Sequence, residues 1–218
     1  NRNFKVTWSN ESYVLRIPGN GTEGMIVREN EDYNSRLAYQ LKITPEIFYL
    51  DVQSGVKLVR YIEGAETLNN ATIQYMNHIE KVIMVLRTLH TSGVRFNNDF
   101  NVFKEIEIYE ELLGRVKGWM YEGYSELRPS IFALADRLNQ LGATLTPCHN
   151  DLVAENFVKG LDGKIHLIDW EYSGMNDPLW DLAALFIESS FSEENASSSA
   201  DFRLPMSCTQ VKFFIFTV

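Results

Sequence analysis

The sequence predicts an α+β protein in which a small, mostly antiparallel sheet lobe precedes a mainly helical lobe. Before residue 63, short runs of β-branched and aromatic residues alternate with one helix-like run. From Asn70 onward, apolar residues instead recur at the spacing of amphipathic helices. The chain has 218 residues, of which 45% are hydrophobic. A chain of this length can bury roughly 70% of its unfolded surface, enough for a sizeable core.

Two strand pairs are predicted in the first lobe. Residues 4–8 and 12–18 are β-like runs separated by a short polar segment. Residues 47–52 and 56–62 flank a short turn that contains glycine. Runs of this kind around a tight turn are typical of antiparallel hairpins. We therefore expect these four runs to build one mostly antiparallel sheet.

A helix is predicted between the two hairpins, packed against the sheet. Its apolar residues form a single stripe that ends before Pro45. The residues of this stripe are Ile26, Tyr33, Leu37 and Leu41. The other face of the helix carries charged residues, namely Arg28, Glu29, Glu31 and Asp32.

The second half of the chain is predicted to contain three core helices, a hairpin and a further helix. The three helical stripes occupy residues 73–89, 102–116 and 131–141. Residues 157–159 and 164–168 flank a turn with two glycines, which predicts the hairpin. The last helix is expected to start at Pro178, because proline is favoured in the first helical turn.

Charge and cysteine content exclude several classes of function. The 29 Asp and Glu residues outnumber the 20 Lys and Arg residues, so the net charge is −9. The basic residues are scattered, which is unlike nucleic-acid-binding proteins, so we expect no nucleic-acid partner and favour a cationic small molecule. Two cysteines cannot form a disulfide framework, and no N-terminal apolar run is present. We expect a cytoplasmic protein without a membrane partner.

Residues 148–171 carry the pattern on which a functional interpretation depends. Asn156 follows Asp151 by five residues, and Asp169 follows the predicted hairpin at the end of an apolar strand. Phosphoryl transfer needs a carboxylate that accepts a hydroxyl proton and hard oxygen ligands for Mg²⁺. We therefore predict Asp151 as the catalytic base and Asn156 and Asp169 as the magnesium ligands.

Motifs around these residues resemble the choline kinase branch of the kinase-like phosphotransferases. The matching segments include His149-Asn150-Asp151, Ile168-Asp169-Trp170-Glu171-Tyr172-Ser173 and Trp180-Asp181-Leu182-Ala183. Protein kinases carry Asp-Phe-Gly where this chain continues as Asp-Trp-Glu. Within this branch the sequence resembles bacterial choline kinases, and the resemblance covers roughly residues 1 to 194. It implies a bilobal protein-kinase-like fold and an enzyme that uses ATP and Mg²⁺ to phosphorylate the hydroxyl of choline.

The resemblance also implies a set of ATP-binding residues. Arg16 stands where protein kinases have a phosphate-binding lysine, and its guanidinium offers a bidentate fork to phosphate oxygens. Glu31 resembles the acidic partner that would hold Arg16, although Glu29 is nearly as well placed. Backbone groups around Tyr61 and Ile62, in the segment between the lobes, would meet the adenine.

The remaining implied roles concern the catalytic loop and the acceptor. His149 is expected to brace the loop, and Asp181 to accept hydrogen bonds from it. A quaternary ammonium has no N–H donor, so its recognition depends on aromatic faces and carboxylates. Glu171 and Tyr172 are the predicted substrate contacts, with Glu171 also able to reach the metal. Further aromatic candidates, each with core packing as the alternative, are Trp170 and Trp180.

Three regions are expected along the chain: a nucleotide-binding lobe at 1–63, a helical lobe at 64–194 and an atypical tail at 195–218. The family's phosphate-loop glycines and its later helices have no counterpart in the sequence, so we expect it to be incomplete at both ends. Two alternatives stay open. One is a kinase for ethanolamine, thiamine or an aminoglycoside, and the other is an inactive nucleotide-binding protein.

Overall fold

The computed structural model describes residues 1–19, 25–142 and 144–191, so the tail predicted at 195–218 lies outside the described residues. The helices are α1 (Arg28–Gln40), α2 (Met76–His90), α3 (Val102–Arg115), α4 (Tyr124–Leu141) and α5 (Pro178–Glu188). The strands are β1 (Arg2–Trp8), β2 (Glu11–Ile17), β3 (Ile47–Leu50), β4 (Lys57–Arg60), β5 (Glu66–Thr67), β6 (Thr146–Cys148), β7 (Phe157–Lys159), β8 (Ile165–Leu167) and β9 (Gly174–Asn176). Among the described helices, none is long and apolar enough to cross a membrane.

Strands β1 to β4 form one antiparallel sheet in the order β1-β2-β4-β3, which confirms both predicted hairpins. In the first hairpin Trp8 lies opposite Glu11. The two residues between them, Ser9 and Asn10, have φ values of 50° and 65°. A two-residue turn with both φ values positive matches the right-handed twist of the flanking strands, so the polar segment sets the register of the hairpin.

Helix α1 turns a polar face inward, which corrects the predicted apolar packing face. Arg28 and Glu31 are buried, whereas Tyr33 of the predicted stripe is 48% exposed. Leu37 and Leu41 are only partly buried against the core. Charged side chains are rarely buried without partners, so the inward face of α1 points to an internal charge cluster.

The helices of the second half differ in what covers them. Helix α2 has eight buried residues and α5 has five, and both contribute to one apolar core. Helix α3 has no buried residue. The prediction of core helices is therefore correct for α2 and wrong for α3, and none of the described side chains of α4 is buried either.

Two small sheets position the segments that carry the predicted chemistry. Strand β6 pairs with β9, and the predicted hairpin forms as β7 and β8, which also pair with β5. Residues 149–156 join β6 to β7, and residues 168–173 join β8 to β9. The two connections therefore pass between the same two sheets and can run side by side.

Candidate active site

The loop after β6 is held by a buried carboxylate on α5. Asp181 Oδ1 accepts a hydrogen bond from the backbone amide of Asn150 (2.7 Å), and Oδ2 accepts one from the amide of His149 (2.9 Å). His90, at the end of α2, donates from Nε2 to the same Oδ2 (2.8 Å). Asp181 is 0% exposed, so these contacts replace the hydration that an ionised carboxylate needs. Asp181 thus has the contacts expected of the loop's hydrogen-bond acceptor.

His90 is a residue of this anchor that the sequence did not reveal. Burial alone would raise the pKa of Asp181, but the hydrogen bond and charge of His90, together with the contacts of His149, lower it overall. The carboxylate therefore stays ionised in the core. His90 lies four residues after Leu86, just beyond the predicted stripe at 73–89, so its burial could be predicted from helical spacing but its partner could not.

His149 ties the loop to the segment after β8. Its Nε2 donates to the carbonyl of Ile168 (2.9 Å). Its ring packs edge-on against Trp170 with 4.8 Å between ring centroids, and both side chains are buried. This is the geometry that the expected bracing role of His149 requires. It also places Trp170 in the core rather than in an acceptor pocket.

Asp151 and Asn156 are in direct contact at the other end of the same loop. Asn156 Nδ2 donates to the backbone carbonyl of Asp151 (2.8 Å) and to its carboxylate Oδ2 (3.2 Å). The backbone carbonyl of Asn156 accepts from the amide of Ile168 (2.9 Å), the residue before Asp169. The predicted base and the two predicted metal ligands are therefore brought together by hydrogen bonds between the two connections.

Arg16 reaches this region from β2 of the sheet lobe. Its Nη1 lies 2.5 Å from Asp169 Oδ1, and its Nη2 lies 2.7 Å from Glu171 Oε2. Burial lowers the pKa of Arg16, but the charges of Asp169, Glu171 and Glu31 raise it overall. A permanently charged guanidinium therefore faces the carboxylate that was predicted to bind metal.

Glu31 belongs to the same charge cluster, but its shortest contacts are not with Arg16. Its carboxylate lies 2.6 Å from Lys57 Nζ and 2.6 Å from Arg28 Nη1, compared with 3.7 Å from Arg16 Nη1. Burial would raise the pKa of Glu31, but these cations lower it overall. Glu31 is 2% exposed whereas Glu29 is exposed, so the structure favours Glu31 between the two predicted helix acids. Arg28 stands three residues before Glu31 on the predicted charged face of the helix, whereas no local pattern marked Lys57.

The predicted acceptor residues Glu171 and Tyr172 flank the loop. Burial raises the pKa of Glu171, and the neighbouring carboxylate adds to the effect. The carbonyl of Tyr172 accepts from the side chain of Asn150 (3.0 Å), and its hydroxyl lies 2.7 Å from the hydroxyl of Tyr109 on α3. Trp180 Nε1 donates to the carbonyl of Asn150 (3.4 Å). The backbone of Tyr172 and the indole of Trp180 therefore both contact Asn150, the residue before Asp151.

Tyr61 and Ile62 follow β4, in the segment that was predicted to lie between the lobes. The amide of Tyr61 donates to the carbonyl of Ser12 (3.1 Å), and the carbonyl of Ile62 accepts from the amide of Ala65 (3.1 Å). Within the described residues, the carbonyl of Tyr61 and the amide of Ile62 make no hydrogen bond. Both residues also line a cavity of about 680 Å³, together with Tyr39, Lys42, Thr44, Pro45, Glu46, Arg60, Glu63, Leu161, Asp162, Lys164 and His166. The other predicted site residues do not line this cavity.

Two sets of side chains have the chemistry of metal ligands. Among the described residues, His90, Cys148 and Asp181 form a group with ligand atoms within 4.8 Å of one another. Burial and the charge of Asp181 raise the pKa of the Cys148 thiol, so it stays protonated and is a poor ligand. Asn156 and Asp169 instead offer an amide and a carboxylate oxygen, the hard donors that Mg²⁺ prefers.

Comparison with known families gives a match along nearly the whole chain. Residues 1–214 match the family model described as choline/ethanolamine kinase. The LicA protein of Haemophilus influenzae strain Rd is 38% identical over 212 residues, which are 96% of this chain and 77% of that protein. A second LicA of the same species is 38% identical, with 60% of its length covered. Human ethanolamine kinase 2 is 26% identical over 186 residues, which are 80% of this chain and 46% of that protein.

A solved structure gives the same result at the level of fold. The crystal structure of choline kinase LicA from Streptococcus pneumoniae matches with a TM-score of 0.87 at 36% identity, covering 98% of this chain and 76% of that chain. A structure of LicA in complex with AMP matches with the same TM-score and identity. The predicted fold class, a bilobal protein-kinase-like α+β fold, is thereby confirmed.

Proposed function

The chain belongs to the choline/ethanolamine kinase family, and on that premise we propose that it transfers the γ-phosphoryl group of ATP to the hydroxyl of choline, giving phosphocholine and ADP. The observation that carries the proposal is the contact of Asp151 with Asn156. The backbone of Asn156 is bonded to Ile168, and the next residue, Asp169, pairs with Arg16. This arrangement supports one base, two oxygen ligands and one phosphate-binding cation around a single phosphoryl group. Since the donor is ATP, we place the reaction in the cytoplasm.

Asp151 would orient the acceptor hydroxyl and take its proton. The hydroxyl oxygen forms a bond to the γ-phosphorus while the bond from that phosphorus to the β–γ bridging oxygen breaks, and ADP leaves. The side-chain amide of Asn156 supports this role, because its bond to Oδ2 fixes the carboxylate of Asp151. General-base assistance of this type is worth ~10² to 10⁴ in rate.

Asn156 and Asp169 would hold Mg²⁺, which when bound neutralises charge on the phosphate oxygens. Arg16 would exchange its contacts with Asp169 and Glu171 for the phosphates, where its fork can bind two oxygens. The unbonded carbonyl of Tyr61 and amide of Ile62 would meet the adenine edge, which presents one donor and one acceptor.

Choline is the acceptor that the family and the groups near Asp151 favour. A quaternary ammonium is bound by aromatic faces and negative charge, because it cannot donate an N–H hydrogen bond. Beside the loop, Tyr172 supplies an aromatic ring and Glu171 supplies a carboxylate. The likeness to human ethanolamine kinase 2 makes ethanolamine the second candidate.

An assay that couples ADP release to acceptor phosphorylation tests the proposal with choline, ethanolamine, thiamine and an aminoglycoside. Turnover should be highest with choline and should stop when EDTA removes Mg²⁺. Asp151→Asn should lower turnover about 10²- to 10⁴-fold. Asp136→Asn, on the exposed surface of α4, is the matched control and should leave turnover unchanged.

Two results would contradict the proposal in different ways. Turnover with thiamine that equals or exceeds turnover with choline would overturn the substrate assignment. An absence of turnover with all four acceptors, despite nucleotide binding, would favour an inactive nucleotide-binding protein.

A further inference from the structure

One contact beside the predicted acceptor residues has no part in the proposed reaction. The hydroxyl groups of Tyr109 and Tyr172 lie 2.7 Å apart, which is a hydrogen bond between α3 and the segment after Asp169. The backbone of Tyr172 is fixed separately, through its carbonyl and the side chain of Asn150. Within the described residues, the hydroxyl of Tyr172 bonds to Tyr109 alone. This bond therefore sets the orientation of the Tyr172 ring.

Tyr172 directly follows Glu171, and its carbonyl bonds to Asn150, the residue before Asp151. Burial, the hydrogen bond to Tyr109 and the charges of Glu171 and Asp151 all raise the pKa of Tyr172. The phenol is therefore neutral and lies in the field of both acids. A cation is attracted to an aromatic ring when it lies over the face within about 6 Å of the centroid, so the attraction is lost if the ring turns away.

Helix α3 brings Tyr109 to this place without being buried itself. No residue of α3 is buried, and its first turn is capped by the side chain of Asn101. Glu110 binds Arg128 of α4 with an Nη2 to Oε2 distance of 2.8 Å. In the described part of the chain, the Tyr109 hydroxyl makes the one side-chain hydrogen bond from α3 to residues 168–173, the connection between β8 and β9. The position of α3 is thereby coupled to the Tyr172 ring.

We propose that Tyr109 is a positioning residue for the acceptor, which holds the Tyr172 ring towards the cation and so tunes the preference for quaternary ammonium acceptors. The proposal rests on the function proposed above. The hydroxyl of Tyr109 bonds to another side chain and not to a reacting group, so its loss weakens acceptor binding and leaves the transfer step intact. A primary ammonium such as that of ethanolamine can bond directly to the carboxylates, so it depends less on the ring.

Steady-state kinetics of Tyr109→Phe test this role. The KM for choline should rise about 3- to 10-fold, the effect of one neutral hydrogen bond, while kcat and the KM for ATP stay unchanged. The KM for ethanolamine should rise less, so the ratio of kcat/KM for choline to that for ethanolamine falls. Tyr121→Phe is the matched control, because Tyr121 lies between α3 and α4 and is 92% exposed.

A double variant separates positioning from a general structural effect. Tyr109→Phe should add nothing to the KM for choline in a Tyr172→Phe background, because it acts through the Tyr172 hydroxyl. An unchanged choline KM in Tyr109→Phe, additive effects in the double variant, or an equal change in the ATP KM would each overturn the proposal. These outcomes presuppose that the wild-type protein phosphorylates choline. If it does not, the proposed function fails first and this role of Tyr109 fails with it.

Discussion

Helices α2 and α3 are nearly equal in length and both carry an apolar stripe, yet their surroundings are opposite. Eight of the 15 residues of α2 are buried, and none of the 14 residues of α3 is buried. Helical spacing thus predicts that a helix forms and which face is apolar, but it does not predict what covers that face. The apolar residues of α2 belong to one buried cluster with residues of α5 and of the β7–β8 hairpin.

The two helices are also joined to the site by different interactions. Helix α2 contributes His90, whose buried hydrogen bond supports Asp181 and through it the loop before Asp151. Helix α3 contributes Tyr109, whose hydroxyl reaches Tyr172 from a side chain that is 39% exposed. We infer that α2 determines whether the loop is formed, and that α3 adjusts the acceptor end.

The largest difference is expected for apolar truncation. Leu86→Ala in α2 removes a side chain that is 0% exposed and should destabilise the fold by about 2–5 kcal/mol, because it leaves a cavity. Leu112→Ala in α3 is the matched variant and should cost about 1 kcal/mol or less. Urea denaturation measures both. Equal losses would show that α3 contributes to stability as α2 does.

A smaller effect is expected at the anchor on α2. His90→Leu leaves the buried carboxylate of Asp181 without one donor and should cost about 1–3 kcal/mol. Because the pKa of Asp181 is lowered in the folded state, its contribution is present above the unfolded pKa and is lost as pH falls through the folded pKa. The variant should therefore unfold at a higher pH than the wild type during acid titration followed by circular dichroism.

The conservative variant is the control for this anchor. His90→Gln places an amide donor near the position of Nε2 and should recover part of the stability and acid resistance. If His90→Gln recovers neither stability nor acid resistance, then the packing of the imidazole, and not its hydrogen bond, supports the loop.

The smallest effect is expected where α3 meets α4. The hydrogen bond from Arg128, followed by that from Tyr124, lowers the pKa of Glu110 to about 2. The contact should therefore be complete above the ordinary Glu pKa of 4.5 and be lost as pH falls towards 2. Glu110→Gln should speed hydrogen exchange in the first turn of α4 and leave exchange in α2 unchanged. Glu111→Gln, which breaks only an exposed pair with Arg115, should change neither.

Local patterns predicted the elements that depend on neighbours in sequence. The β1–β2 hairpin follows from its polar turn, and the start of α5 follows from Asp177, whose side chain caps the amide of Leu179, together with Pro178. The order of Asp151, Asn156 and Asp169 around a hairpin was also sufficient to identify the segments that the fold brings together.

Features that depend on distant segments could not be predicted in this way. The charged face of α1 is buried because Lys57 and Arg16 arrive from two different strands to pair with Glu31. The pairing of β6 with β9 joins residues about 28 positions apart, with no turn between them to signal it. Single positions such as His90 carry no information about a partner 91 residues later.

The two ion pairs of Arg16 have a consequence for affinity. Asp169 and Glu171 already pair with the guanidinium of Arg16 on β2, so a phosphate that binds Arg16 as proposed has to displace them. The free energy of nucleotide binding is therefore the difference between the contacts that Arg16 gains with phosphate and those that it loses with the two carboxylates. A nucleotide binds tightly only if its phosphates stabilise Arg16 more than these carboxylates do.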